Sequence, residues 1–160
     1  MNVVDSSGWI EYLSGGENAE TFRTPIEDAD QLLVPALSLF EVYRHLIRHL
    51  GQHEALEVVA VMREHPIVPL DDRIALEAAE TSAETGLPTA DSIILTSARL
   101  HNAVFWTQDS DFEGMDGVEY FAKKQLGSMK SAPKPPPPPS PRSAETPAPA
   151  SRPTPRSSSA

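Results

Sequence analysis

No cysteine occurs among the 160 residues, which excludes a disulfide framework, a thiolate zinc site and a cysteine nucleophile. Oxygen and imidazole remain as metal ligands and nucleophiles, a set that favours hard cations. Long apolar runs are missing too: no window approaches the roughly 18 apolar residues of a membrane span. Asp5 interrupts the short apolar start at once, so the N-terminus has neither the basic region nor the apolar stretch of a signal peptide. Together these absences point to a cytosolic protein.

Positive charge is scarce and unevenly placed. Residues 1–125 hold 8 Lys and Arg against 22 Asp and Glu, a net of −14, whereas residues 126–160 hold 5 against 1, a net of +4. The acidity of the larger part argues against nonspecific nucleic-acid binding through a broad basic face. It leaves room for a nuclease whose acids are screened by metal. In residues 126–160, 11 Pro, 8 Ser and 5 Ala fill 24 of 35 positions, too little apolar bulk to build a core, so this segment is predicted to be a disordered Pro/Ser/Ala-rich tail. Its Pro135–Pro141 run can adopt polyproline II and is read as an inert extension rather than an SH3-like ligand. Residues 1–125 then form one domain with one core.

Within that domain, Val3–Val4, Leu32–Val34, Ile67–Leu70, Val104–Trp106 and Val118–Phe121 read as buried strands, rich in branched or aromatic residues. Between them, helical spacing of apolar residues runs over 37–50, 56–62, 74–83 and 93–98. Gly51 and Gly86 punctuate helix ends, and Thr89 or Asp91 is placed to cap the helix after Pro88. Strands alternating with helices imply right-handed crossovers and a mostly parallel sheet covered on both faces.

In such sheets function gathers beyond the carboxyl ends of the strands. Asp5 directly follows the first strand, and Asp109 and Asp111 follow the fourth, which puts both sets at one edge. Glu41 lies on the helix after the second strand, and Asp91 begins the helix that leads into the fourth. Each acid alone has an ordinary explanation as a helix cap, a turn former or a solvated helix residue. Glu41 fits its ordinary explanation least, because Leu39, Phe40, Val42 and Tyr43 around it predict a largely buried segment, where an unpaired carboxylate is costly. Converging carboxylates repel unless a proton or a divalent cation intervenes, and Mg²⁺ or Mn²⁺ suits an oxygen-lined site. Two such ions about 4 Å apart can orient water and stabilise charge on a phosphodiester during in-line displacement.

The segments VVDSSGWIEYL, SLFEVYRHL, PTADSIILTSAR and VFWTQDSDFEGMDGVEYF, in that order across residues 1–122, together resemble the PIN-domain ribonucleases, specifically the VapC toxins of type II toxin–antitoxin systems. The resemblance implies a three-layer α/β/α domain with a central parallel sheet and an acidic, metal-dependent site that cleaves cellular RNA with a metal-activated water. Matched position by position, Asp5, Glu41, Asp91 and Asp109 correspond to the family's four acids. Asp5, Asp91 and Asp109 are then the expected Mg²⁺ or Mn²⁺ ligands, with Asp111 an assisting carboxylate. Ser7 and Thr107 match hydroxyl positions expected to orient carboxylates or water. A homodimer and a cognate antitoxin protein are also implied. The Pro-rich tail departs from the family pattern.

Other candidates are weaker. His45, His49 and His53 recur every four residues, but Gly51 is expected to end the helix before His53 and HLIRH lacks the Glu of a zincin motif. Trp9, Tyr12, Phe40, Tyr43 and Trp106 sit in apolar patterns that suit a core or dimer interface better than base stacking. Arg44, Arg48 and Arg99 are candidate phosphate contacts, although Arg44 and Arg48 are equally explained as solvated charges. A phosphoaspartyl enzyme fits poorly, because Ser7 stands where a D-x-D motif needs its second acid. A catalytically silent PIN-like module that only binds a partner is the remaining alternative, disfavoured by an intact and costly acid set.

Overall fold

The structure, a computed structural model, describes residues 1–124; the expected disordered tail lies outside them. Five strands, β1 (Asn2–Val4), β2 (Leu32–Pro35), β3 (Ile67–Val68), β4 (Val104–Thr107) and β5 (Val118–Tyr120), form one sheet in the order β3-β2-β1-β4-β5. Every pairing is parallel. All five begin where the apolar runs predict, to within a residue. β3 stops short of the expected Leu70, because Pro69 has no N–H to extend the ladder.

Helices α1 (Ser6–Ser14), α2 (Ala19–Glu27), α3 (Ala36–Leu50) and α4 (Gln52–Met62) form the crossovers from β1 to β2 to β3, and α5 (Asp72–Thr85) and α6 (Thr89–Leu100) carry the chain back to β4. Alternate strand residues face opposite layers. On one side Val3, Leu33 and Phe105 pack with Ile74, Ile94 and Phe112; on the other Val4, Leu32 and Val34 pack with Trp9, Phe22, Val42 and Met62. The result is the expected three-layer α/β/α arrangement. No helix among the described residues is long and apolar enough to cross a membrane.

Two local expectations need correction, and α2 was not expected at all. Helix α2 was not legible, because Pro25 sits inside it and Phe22 and Ile26 are its only large apolar residues. Thr89 and Asp91 do not cap α6: Pro88 holds the N-cap position and both lie inside the first turn. The segment around Glu41 is only half-buried, for Phe40 is 55% exposed while Val42 is fully buried.

After β1 the chain proceeds to β2, and after the long excursion through α5 and α6 it returns to β1's other side as β4. The loops leaving β1 and β4 therefore diverge at the same strand end, opening a crevice at the point where strand order reverses. A 3₁₀ turn at Ser110–Phe112 follows β4 and leads to β5.

Candidate active site

Asp5, the first residue after β1, has both an ordinary and a special role. Its carboxylate caps α1 by accepting the Ser6 N–H at 2.8 Å. The other oxygen, Oδ2, accepts hydroxyl hydrogens from Ser7 at 2.7 Å and from Thr107 at 3.0 Å. With 4% exposure the side chain is buried, and burial raises its pKa above the usual carboxylate value against the opposing effect of these donors. Asp5 is thus fixed from both α1 and β4.

The last residue of β4, Thr107, holds a second link, because its Oγ1 accepts the Asp109 N–H at 3.0 Å. The Asp109 carboxylate in turn accepts the Asp111 N–H at 3.0 Å, starting the 3₁₀ turn. Glu41 approaches from α3 and accepts a hydrogen bond from the Ser6 hydroxyl. Asp91 approaches from the first turn of α6, where the helix N-terminus favours negative charge.

The structure brings Asp91, Asp109 and Asp111 together so that one carboxylate oxygen from each lies within 4.8 Å of the others. Asp5 and Glu41 stand beside this cluster rather than in it, each engaged by the hydroxyls of α1. Burial first, then the charges of Asp5, Asp109, Glu41 and Asp111, push the Asp91 pKa up to about 6. All five acids therefore converge on one small region. Among the described residues none of them forms an ion pair with Lys, Arg or His; the ion pairs there involve Glu20, Glu27, Glu57 and Glu77. An all-oxygen cluster with uncompensated repulsion suits a hard divalent cation, and the residues present fit Mg²⁺ or Mn²⁺.

A polar layer beneath Ser7 escaped the sequence reading. Gln108, 5% exposed, donates through Nε2 to the Ser7 carbonyl at 3.1 Å and to Glu11 at 3.2 Å. Glu11 accepts the Asn18 N–H at 3.0 Å, and Asn18 Nδ2 donates to the Ala122 carbonyl at 3.0 Å. Residues 7 to 122 are tied together here by contacts spanning up to 104 positions, and only an amide immediately before Asp109 hinted at it. Ser6, which joins Asp5 to Glu41, was likewise passed over in favour of Ser7.

The remaining candidates are resolved by position. Arg44 and Arg48 line a hollow of about 280 Å³ with Glu41, Asp91 and Asp109. Arg99 does not belong with them: it lies eight residues beyond Asp91 along α6, about 12 Å away at 1.5 Å per residue. His45 lines the same hollow and stacks on His49 at 4.2 Å between ring centroids, but neither belongs to the three-acid cluster. Burial, then His49 and Arg48, lower the His45 pKa. His53 pairs with Glu57 on α4.

Comparison with known proteins agrees with this layout. The PIN domain model matches residues 3–118. Among solved structures, the chain is similar to a toxin–antitoxin complex from Klebsiella pneumoniae, with a TM-score of 0.62 and 22% identity over 74% of this chain and 96% of that one. It is also similar to VapC20 of Mycobacterium tuberculosis, a toxin that cleaves the sarcin–ricin loop, with a TM-score of 0.60 and 16% identity over 72% and 95%. A third, FitAcB from Neisseria gonorrhoeae, gives 0.59 and 19% over 79% and 100%. No curated protein matches in sequence.

Proposed function

The chain belongs to the PIN domain family, and on that premise we propose that it is a metal-dependent endoribonuclease acting as the toxin of a type II toxin–antitoxin pair in the cytoplasm. The observation that carries the reading is the convergence of Asp91, Asp109 and Asp111 with no cation paired to them among the described residues. In this reading the three hold Mg²⁺ or Mn²⁺, which when bound lowers the pKa of water and offsets charge building on a phosphodiester. Asp5 and Glu41 add negative charge from α1 and α3 and keep the cluster selective for a divalent ion. Ser6, Ser7 and Thr107 hold those two carboxylates in place. A module that only binds a partner has no use for five unpaired acids in one place.

Two features support protein partners. Phe40, Ile47 and Leu50 on α3 and Leu56 on α4 are large apolar residues between 40% and 55% exposed, a surface suited to a second copy or to an antitoxin. The acid cluster suits basic side chains of an inhibitor.

Sequencing RNA ends after brief expression tests the reading and finds the target. New discrete ends are expected, without 2′,3′-cyclic phosphate, because water rather than the ribose 2′-hydroxyl is the nucleophile. An unchanged RNA pool, or cyclic phosphate ends, would count against it.

A further inference from the structure

The acids do not occupy an isolated hollow. Beside the one lined by Arg44 and Arg48 lies a second, of about 200 Å³, lined by Gln108, Ser110 and Lys123. Ser7 and Asp109 line both, so the two hollows meet at Asp109 and together form a trough, with Arg44, Arg48, Glu41 and Asp91 in one part and Lys123 in the other.

That placement is notable because residues 1–125 contain only eight Lys and Arg. Arg23 and Arg73 are ion-paired to glutamates of their own helices. Arg44, Arg48 and Lys123 form no ion pair among the described residues, although Glu41, Asp91 and Asp109 line the hollow of the two arginines and Asp109 lines that of Lys123. Each is carried on a packed segment of the fold. The Arg44 guanidinium sits over the Phe40 ring at 5.5 Å, and Arg48 follows one helical turn later on α3. Lys123 follows a clamped segment: the Phe121 N–H donates to the Thr107 carbonyl at 2.9 Å, Asn18 holds the Ala122 carbonyl, and the Phe121 ring stacks on Trp106 at 5.6 Å.

We propose that Arg44 and Arg48 on one side of the acids, and Lys123 on the other, grip the phosphates that flank the one cleaved, so that an RNA strand crosses the site along this trough. The inference rests on the nuclease reading and deepens it. A domain with 22 Asp and Glu against 8 Lys and Arg in residues 1–125 disfavours RNA on balance. Local positive charge at both ends of the trough holds the backbone against that repulsion and centres one phosphate over the acids. Contacts to phosphate fix register and carry no base information, so sequence choice must come from elsewhere.

The test uses the full chain and a fluorescein-labelled 12-nucleotide oligouridylate, with anisotropy read in Ca²⁺ over a range of salt. Lys123→Gln, the double variant Arg44→Gln/Arg48→Gln, and Lys124→Gln, which does not line the trough, are compared with the parent. The first two should each weaken binding several-fold, and the slope of log affinity against log salt should shrink by about 0.7 for each cation removed, as for single strands. Lys124→Gln should bind like the parent. If either trough variant keeps the parent's affinity and slope, the two-sided grip is wrong, while cleavage of total RNA by the parent in Mg²⁺ would leave the nuclease reading standing. A parent that neither binds the oligonucleotide nor cleaves total RNA would overturn both.

Discussion

Thr107 joins the two acid-bearing loops through a single oxygen: its hydroxyl donates to Asp5 Oδ2 at 3.0 Å and accepts the Asp109 N–H at 3.0 Å. One side chain at the end of β4 thereby sets the spacing between the acid after β1 and the acid after its own strand. Thr107→Val keeps the shape but removes both functions. It should lower RNA cleavage by about 10- to 100-fold, the range seen when a group orienting a metal ligand is lost, while Thr107→Ser restores most of it. Unaltered cleavage by the valine variant would mean that Asp5 and Asp109 are held by other contacts.

Gly8 lets α1 sit close on the sheet. A Cβ there would lie 2.7 Å from the Phe22 ring and 2.8 Å from a Val4 methyl, closer than side-chain carbon atoms approach. Gly8→Ala should therefore force α1 outward, costing roughly 1–3 kcal/mol of stability and moving Ser6 and Ser7 away from Asp5. A thermal melt and a cleavage assay check this together. A variant as stable and as active as the parent would show that Phe22 and Val4 give way without disturbing α1.

Asp91 makes metal-free stability depend on pH. Its carboxyl titrates at about 6 in the fold against 3.8 ordinarily, because of burial and of Asp5, Asp109, Glu41 and Asp111. A raised folded pKa means that the native state holds the extra proton, so the stability linked to it is complete below 3.8 and is lost as pH rises through about 6. The thermal midpoint in EDTA should fall between about pH 4 and about pH 6.5, and fall less in Asp91→Asn. Adding Mg²⁺ or Mn²⁺ at the higher pH should recover the loss in the parent, since an ion binding only the native state stabilises it. Equal pH slopes in parent and variant would place the repulsion elsewhere.

What was legible in the sequence follows from which interactions are local. Val3–Val4, Leu32–Val34 and Val104–Trp106 announce buried strands by composition alone, and an acid following such a strand is placed by the parallel topology. Asp5 and Asp109 were therefore readable as neighbours, although 104 positions separate them. Helix α2 was hidden by Pro25, and the cap of α6 was misread because Thr89 and Asp91 are typical capping residues displaced one and three positions into the helix. Gln108, Asn18 and Lys123 carry no local pattern. Their contacts exist only once β4, α1 and the end of β5 are assembled, so the layer beneath Ser7 and the Lys123 end of the trough are set by the tertiary fold alone.

The most direct measurement is the initial rate of total-RNA cleavage by purified protein as Mg²⁺ is titrated, for the parent and for Asp91→Asn and Asp109→Asn. The parent's rate should rise with Mg²⁺ from nothing in EDTA and saturate. Each variant should lose about 100-fold or more, since the metal-assisted term is removed, while melting no lower than the parent in EDTA because one repelling charge is gone. Undiminished cleavage in EDTA, or full activity in either variant, would contradict a metal-dependent nuclease built on these acids.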